Sequence, residues 1–184
     1  MSIFKDKKFI RFTVKFLLLF CAFYFGTLAV IGLAAPGGIY SPFVEKYLDY
    51  VSWIKQSLIW AVKNVAQWSG YETIVRPDFV ISSYNASIKI AMDCVGYGVY
   101  SFWAAYVIAN DGSRIKKTLW VVVGLLLLWT INAGRISLFF LALQKNKPMP
   151  FGIDHHTWFN IIAYIAIFGM ILLFEKRKSN TQPS

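Results

Sequence analysis

Four long apolar runs constrain this chain more than any other feature. They fall at about residues 12–34, 95–110, 118–143 and 157–174, each near the length that a helix needs to cross a bilayer. Of the 184 residues, 57% are hydrophobic, more than a soluble domain of this size carries. The pattern predicts an all-α membrane protein: a polytopic helix bundle of about four transmembrane spans, forming one integral membrane domain over residues 1–184. The first run reads as a retained anchor and not as a cleaved signal peptide. Its apolar stretch is too long, and only "LAAPGG" approaches a small-residue cleavage pattern.

A net charge of +10 would ordinarily raise nucleic-acid binding. The basic residues are not spread over a face, however. Lys5, Lys7, Lys8, Arg11 and Lys15 precede the first run, Arg114, Lys116 and Lys117 separate the second from the third, and Lys176, Arg177 and Lys178 follow the last. These clusters hold 11 of the 19 basic residues, so the charge is accounted for by topology, with all three clusters and both termini cytoplasmic. No nucleic-acid partner is expected. Residues of about 35–93 and 144–156 are then expected outside.

From residue 43 to 68, Val44, Tyr47, Leu48, Val51, Ile54, Leu58, Val62 and Val65 recur at helical spacing, with Lys46, Asp49, Gln56, Lys63, Asn64 and Gln67 largely opposite. This predicts one outer amphipathic helix. Residues 70–93 follow, with β-rich runs "ETIV", "FVIS" and "SIKIAM" separated by Pro77-Asp78 and Tyr84-Asn85. They predict a short β-hairpin that leads directly to Cys94.

Helical rise relates three polar residues. Cys94 lies 20 residues before Arg114, Arg135 lies 19 after Lys116, and His156 lies 19 before Glu175. At about 1.5 Å per residue, all three stand roughly 28–30 Å from the cytoplasmic boundary, about one hydrocarbon thickness. Arg135 interrupts the apolar "WTINAGRISLFFLAL", where an arginine is unfavourable by several kcal/mol unless it is paired or faces a polar cavity. Asn132, one turn earlier, is placed to orient the guanidinium, and Gly134 to admit a neighbouring helix. The plainer alternative is that Arg135 snorkels to headgroups or pairs with Asp93 or Asp154 to hold helices together.

Cys94 is expected to begin a helix, with Gly96 and Gly98 leaving it uncrowded. A helix N-terminus and a nearby cation both favour a thiolate, while the neighbouring Asp93 opposes it. Cys21, within the first span, is the inert counterpart. His155 and His156, in "GIDHHTWFN", are the two histidines of the chain, and histidine can act as a general base near neutral pH. Two adjacent histidines, one cysteine and few outer carboxylates make a poor ligand set, so no metal and no cofactor is expected. A thiol, an imidazole and a fixed cation together fit nucleophilic catalysis through a tetrahedral intermediate.

In order, a β-like segment running into "DCVGYG", then "NAGR" on the next span but one, then "DHHTWFN" opening the final span, resembles the exosortase/archaeosortase family of membrane cysteine transpeptidases. The resemblance covers roughly residues 70–174. It implies a bacterial or archaeal plasma-membrane enzyme with its active site at the outer face. Its substrates would be secreted proteins whose C-terminal signal is a short motif, a transmembrane helix and a basic tail. A thioester on the cysteine would pass the substrate's carboxyl group to a lipid or glycan acceptor. By position, Cys94 matches the family nucleophile, Arg135 the family arginine and either His155 or His156 the family histidine. His156 is favoured because Asn160, one turn later, stands where the family often has a small residue. Val95 stands where the family commonly has serine, and the chain is shorter than most members. Two other readings stay open: a cysteine-dependent intramembrane hydrolase with water as acceptor, and a non-enzymatic scaffold or assembly factor in which Arg135 only pairs helices.

Overall fold

The computed structural model describes residues 6–37, 39–82, 87–145 and 155–179. Within them the chain forms helices α1 (Lys7–Ala34), α2 (Pro42–Tyr47) and α3 (Tyr50–Trp68), then strands β1 (Thr73–Arg76), β2 (Phe79–Ser82) and β3 (Ser87–Lys89). A 3-10 turn (Met92–Val95) and helices α4 (Tyr97–Ala109), α5 (Arg114–Gln144) and α6 (His155–Ser179) complete it. The protein is mainly helical with one small sheet. Among the described residues, α1 and α5 are helices long and apolar enough to cross a membrane. The chain divides into two compact units, Met1–Asp49 with Tyr97–Leu127, and Tyr50–Gly96 with Leu128–Ser184.

In the first unit, the Asp6 carboxylate caps α1 by accepting from the Lys8 N–H at 2.8 Å. Phe12, Phe16, Phe20 and Tyr24 recur every four residues, so they stack along one face of α1 with centroids 6.2, 6.1 and 5.7 Å apart. Helix α4 meets this ladder edge-on, with Phe102 5.3 Å from Phe16 and Tyr106 5.9 Å from Phe12, the geometry that ring quadrupoles favour. Trp103 of α4 is fully buried, and its indole N–H donates to the Trp120 carbonyl at 3.1 Å. It lies against Gly124 of α5, where a side-chain carbon would overlap the indole. The last carbonyls of α4 are satisfied from outside the helix ladder: Asn110 donates to Tyr106 at 3.0 Å and the Lys117 ammonium to Ile108 at 3.1 Å.

The second unit is built around α3 and the sheet. The sheet is an antiparallel meander in the order β1-β2-β3, with Val75 opposite Val80 and Val80 opposite Ile88. Val80 and Ile88 share the covered face and meet Leu58, Ile59, Val62 and Ala66 of α3, while Ala133, Ile136 and Phe140 bring the C-terminal half of α5 into the same core. The Trp129 indole donates to the Ser57 hydroxyl at 2.9 Å, giving a partner to a polar edge of that core.

Three expectations change. The amphipathic segment 43–68 is two helices, interrupted at Leu48, which leaves helical geometry at φ −120° and ψ −2°. The apolar period runs through the interruption, but Asp49 is a residue type suited to the position before a helix and not to its interior. The expected hairpin of residues 70–93 is a three-stranded sheet, because the third run also alternates and buries Ile88 on the face that Val80 uses. The run 95–110 yields only the 13 residues of α4, about 20 Å of rise and short of a hydrocarbon thickness of about 30 Å. Gly96, at φ +81°, takes the left-handed conformation that separates the 3-10 turn from α4. The rise count for Cys94 therefore fails, since its path to Arg114 is not one helix, whereas Lys116 to Arg135 and His156 to Glu175 each lie within one helix.

One ion pair anchors the sheet to α3. Lys55, buried on α3, reaches the Asp78 carboxylate at 2.6 Å, and the Asp78 carbonyl accepts the Ile90 N–H at 2.8 Å. The hydrogen bond from Lys55 holds the Asp78 carboxyl below its ordinary value of 3.8, reinforced by the charges of Lys55 and Lys89 and opposed by partial burial. A lowered carboxyl contributes stability that is fully present above the unfolded value and is lost as the pH falls through the folded one. Asp78→Asn should therefore melt below the wild type at pH 7, because the Lys55 ammonium keeps its burial without its counter-charge. The gap should begin to shrink below about pH 4 and close only once the pH has fallen through the lowered folded value, where the wild-type carboxylate protonates as well. Thermal unfolding at both pH values measures this, and a gap independent of pH would show that the carboxylate charge contributes nothing.

Candidate active site

The thiol sits where the sheet ends. After β3 the chain turns at Ala91, whose carbonyl accepts the Cys94 N–H at 3.0 Å, and the 3-10 turn presents the Cys94 side chain half-buried. Cys94 thus lies in a 3-10 turn and not at the N-terminus of α4, and the dipole of a long helix does not act on it in the expected way. Asp93 beside it is exposed.

Helix α5 supplies the opposing residues. Arg135 is half-buried, and its guanidinium is hydrogen-bonded to the Cys94 sulfur. Residues 41 positions apart in sequence are thereby brought into contact. Asn132, 1% exposed, donates from its amide to the Cys94 carbonyl at 2.8 Å and to the Val95 carbonyl at 3.1 Å. It holds the backbone that carries the thiol, where the sequence pointed to the guanidinium. Both amide hydrogens serve the turn, and its Oδ1 is buried with no hydrogen-bond partner among the described residues.

Cys94 and Arg135 open into a cavity of about 200 Å³, lined also by Ile88, Lys89, Ile90 and Ala91 from the end of the sheet, by Asp93, and by Ile136 and Phe139 of α5. The lining combines a thiol, a guanidinium and an apolar wall. Sequence reasoning does not single out Lys89 and Ala91, although the run "SIKIAM" leading straight to the cysteine carries the signal.

His155 and His156 are the first two residues of α6, so their backbone positions are about 100° apart around the helix axis. The side chains of His155, His156 and Asn160, and Asp154 as a whole, lie outside the described residues. Cys21 is exposed on α1. Among the described residues, no group of three or more His, Cys, Asp or Glu could hold a metal ion.

Comparison with known proteins finds no matching family model, no matching curated protein and no matching solved structure.

Proposed function

We propose that this protein is a compact exosortase-like cysteine transpeptidase of a bacterial or archaeal plasma membrane. The observation that carries the reading is the Arg135 guanidinium against the Cys94 sulfur in an open cavity, on a helix long and apolar enough to span a bilayer. An arginine kept in such a helix calls for a polar function, and a thiol next to a fixed cation is suited to acyl transfer. In the proposed topology α1, α4, α5 and α6 all pass through the membrane, both termini are cytoplasmic and the cavity opens at the outer face. The short α4 crosses with the help of the 3-10 turn before it and of Lys117, which meets its last turn from the basic side.

The Cys94 thiol gives its proton to His156 or His155 as its sulfur attacks the scissile carbonyl of a secreted protein just outside its own transmembrane helix. The carbonyl oxygen gathers negative charge, which Arg135 neutralises. As the intermediate collapses, the carbon–nitrogen bond breaks, the thioester forms and the departing amine takes a proton from His156 or His155. A hydroxyl or amine of a lipid or glycan acceptor then attacks the thioester and the thiol is released.

The test uses the full chain coexpressed with a secreted protein carrying a motif, a transmembrane helix and a basic tail, with mass spectrometry of its C-terminus. A shortened and conjugated C-terminus made by the wild type and lost in Cys94→Ala is the expected result. A shortened free acid would replace transfer with hydrolysis. An intact substrate, together with a Cys94 that is no more reactive toward chloroacetamide than Cys21, would overturn the enzymatic reading in favour of a scaffold.

A further inference from the structure

Strand β3 is the edge of the sheet, and its two sides differ. Among the described residues β2 pairs with one side of it and no strand pairs with the other. The register sets Lys89 opposite Phe79 and Ile88 opposite Val80, and the Ile90 N–H continues the same pairing by donating to the Asp78 carbonyl at 2.8 Å. In an antiparallel ladder, bonded and non-bonded pairs alternate. Residues 88 and 90 therefore turn their main-chain groups toward β2, and Ser87, Lys89 and Ala91 turn theirs outward. The Ala91 carbonyl is taken by the Cys94 N–H. The Lys89 N–H and carbonyl and the Ala91 N–H remain on the outer edge, and both residues line the cavity that holds the thiol and the guanidinium. An open strand edge running into a nucleophile is the geometry that recognises a polypeptide by its main chain.

We infer that the outer edge of β3 takes an extended peptide segment of the substrate as a fourth strand, pairing main chain to main chain at Lys89 and Ala91 and so delivering the scissile bond to Cys94. This rests on the reading of Cys94 as a nucleophile toward polypeptides. Affinity then comes from backbone hydrogen bonds that any extended sequence can supply, and side-chain preference is confined to the residues that enter the cavity. The same edge explains a use for Lys89 at this position: its ammonium lies 5.8 Å over the Phe79 ring, on the face of the sheet, which leaves the strand edge itself uncovered.

The test is the rate at which an acetyl-tetra-alanyl chloromethyl ketone alkylates Cys94 in the full chain in native membranes, carrying Cys21→Ala. The sulfur–carbon bond forms as the carbon–chlorine bond breaks, and chloride and the thiol proton pass to the buffer, so no acyl transfer is needed. N-methylating the peptide residues one at a time should slow labelling by about five-fold at the position that pairs with the Lys89 carbonyl, and little at its neighbours, the order expected from one lost hydrogen bond. Lys89→Pro, read against Lys89→Ala to allow for the lost ammonium, removes an outward N–H and no ladder bond to β2. In this variant the ratio of peptide to chloroacetamide rates should fall by a similar factor. N-methyl peptides that all react like the parent would overturn the proposal, as would an unchanged ratio in Lys89→Pro. Failure of the transpeptidase reading appears separately, in the substrate C-terminus experiment.

Discussion

Arg135→Gln is expected to slow thioester formation on Cys94 by about 10²- to 10³-fold, the effect of removing one preorganised partner of a developing oxyanion. The glutamine side chain would stay polar while losing the charge and part of the reach. Arg135→Lys should recover part of the rate, since the charge returns without the planar fork that can meet sulfur and carbonyl oxygen together. Melting temperature separates this role from a structural one. A residue that only pairs helices would lower the melting temperature on substitution and leave the per-molecule rate of Cys94 acylation untouched. The catalytic reading expects the reverse, because deleting a half-buried charge from an apolar helix removes a desolvation penalty along with an interaction.

Gly124→Ala is expected to be the most damaging single-methyl change among the positions described. The added carbon would overlap Nε1 and Cε2 of Trp103, which is fully buried and whose N–H is already committed to the Trp120 carbonyl. An indole held on that side has no small rotation that clears the clash, so the loss should reach about 3 kcal/mol, the upper end for overpacked cores. Thermal unfolding in detergent measures it. In a double-mutant cycle, Gly124→Ala should cost much less in a Trp103→Ala background than in the wild type. Additive losses would show that the two residues do not meet.

The long apolar runs made α1 and α5 legible in the sequence, because hydropathy over a span-length window tests one property that both helices possess. It could not show where a helix starts. The run at 95–110 is apolar from its first residue, yet Gly96 adopts a left-handed conformation and delays α4 to Tyr97. Periodicity was blind to the interruption at Leu48 for a related reason: two helices in succession can keep the period of one. In the candidate site, an arginine inside an apolar span and a thiol at the polar start of an apolar run singled out Arg135 and Cys94, which the fold brings into contact, although the count from Arg114 to Cys94 assumed one helix and does not hold. The partner of Asn132 was not legible, since spacing along a helix gives the face that a side chain occupies and not the groups that a neighbouring turn offers it. The histidine at the start of α6 stays a proposal drawn from sequence order.

Asn132 and Arg135 lie one turn apart on α5 and grip the same residue from two ends, one at the Cys94 carbonyl and the other at its sulfur. A thiol held in this way by a single helix would follow that helix. If α5 slides or tilts to follow a thicker or thinner bilayer, the 3-10 turn is drawn along, and the distance between sulfur and guanidinium is conserved while the rest of the lining adjusts. On the proposed reading, α5 would carry sulfur and guanidinium as one unit, with their alignment set by this helix and not by the lipid around it.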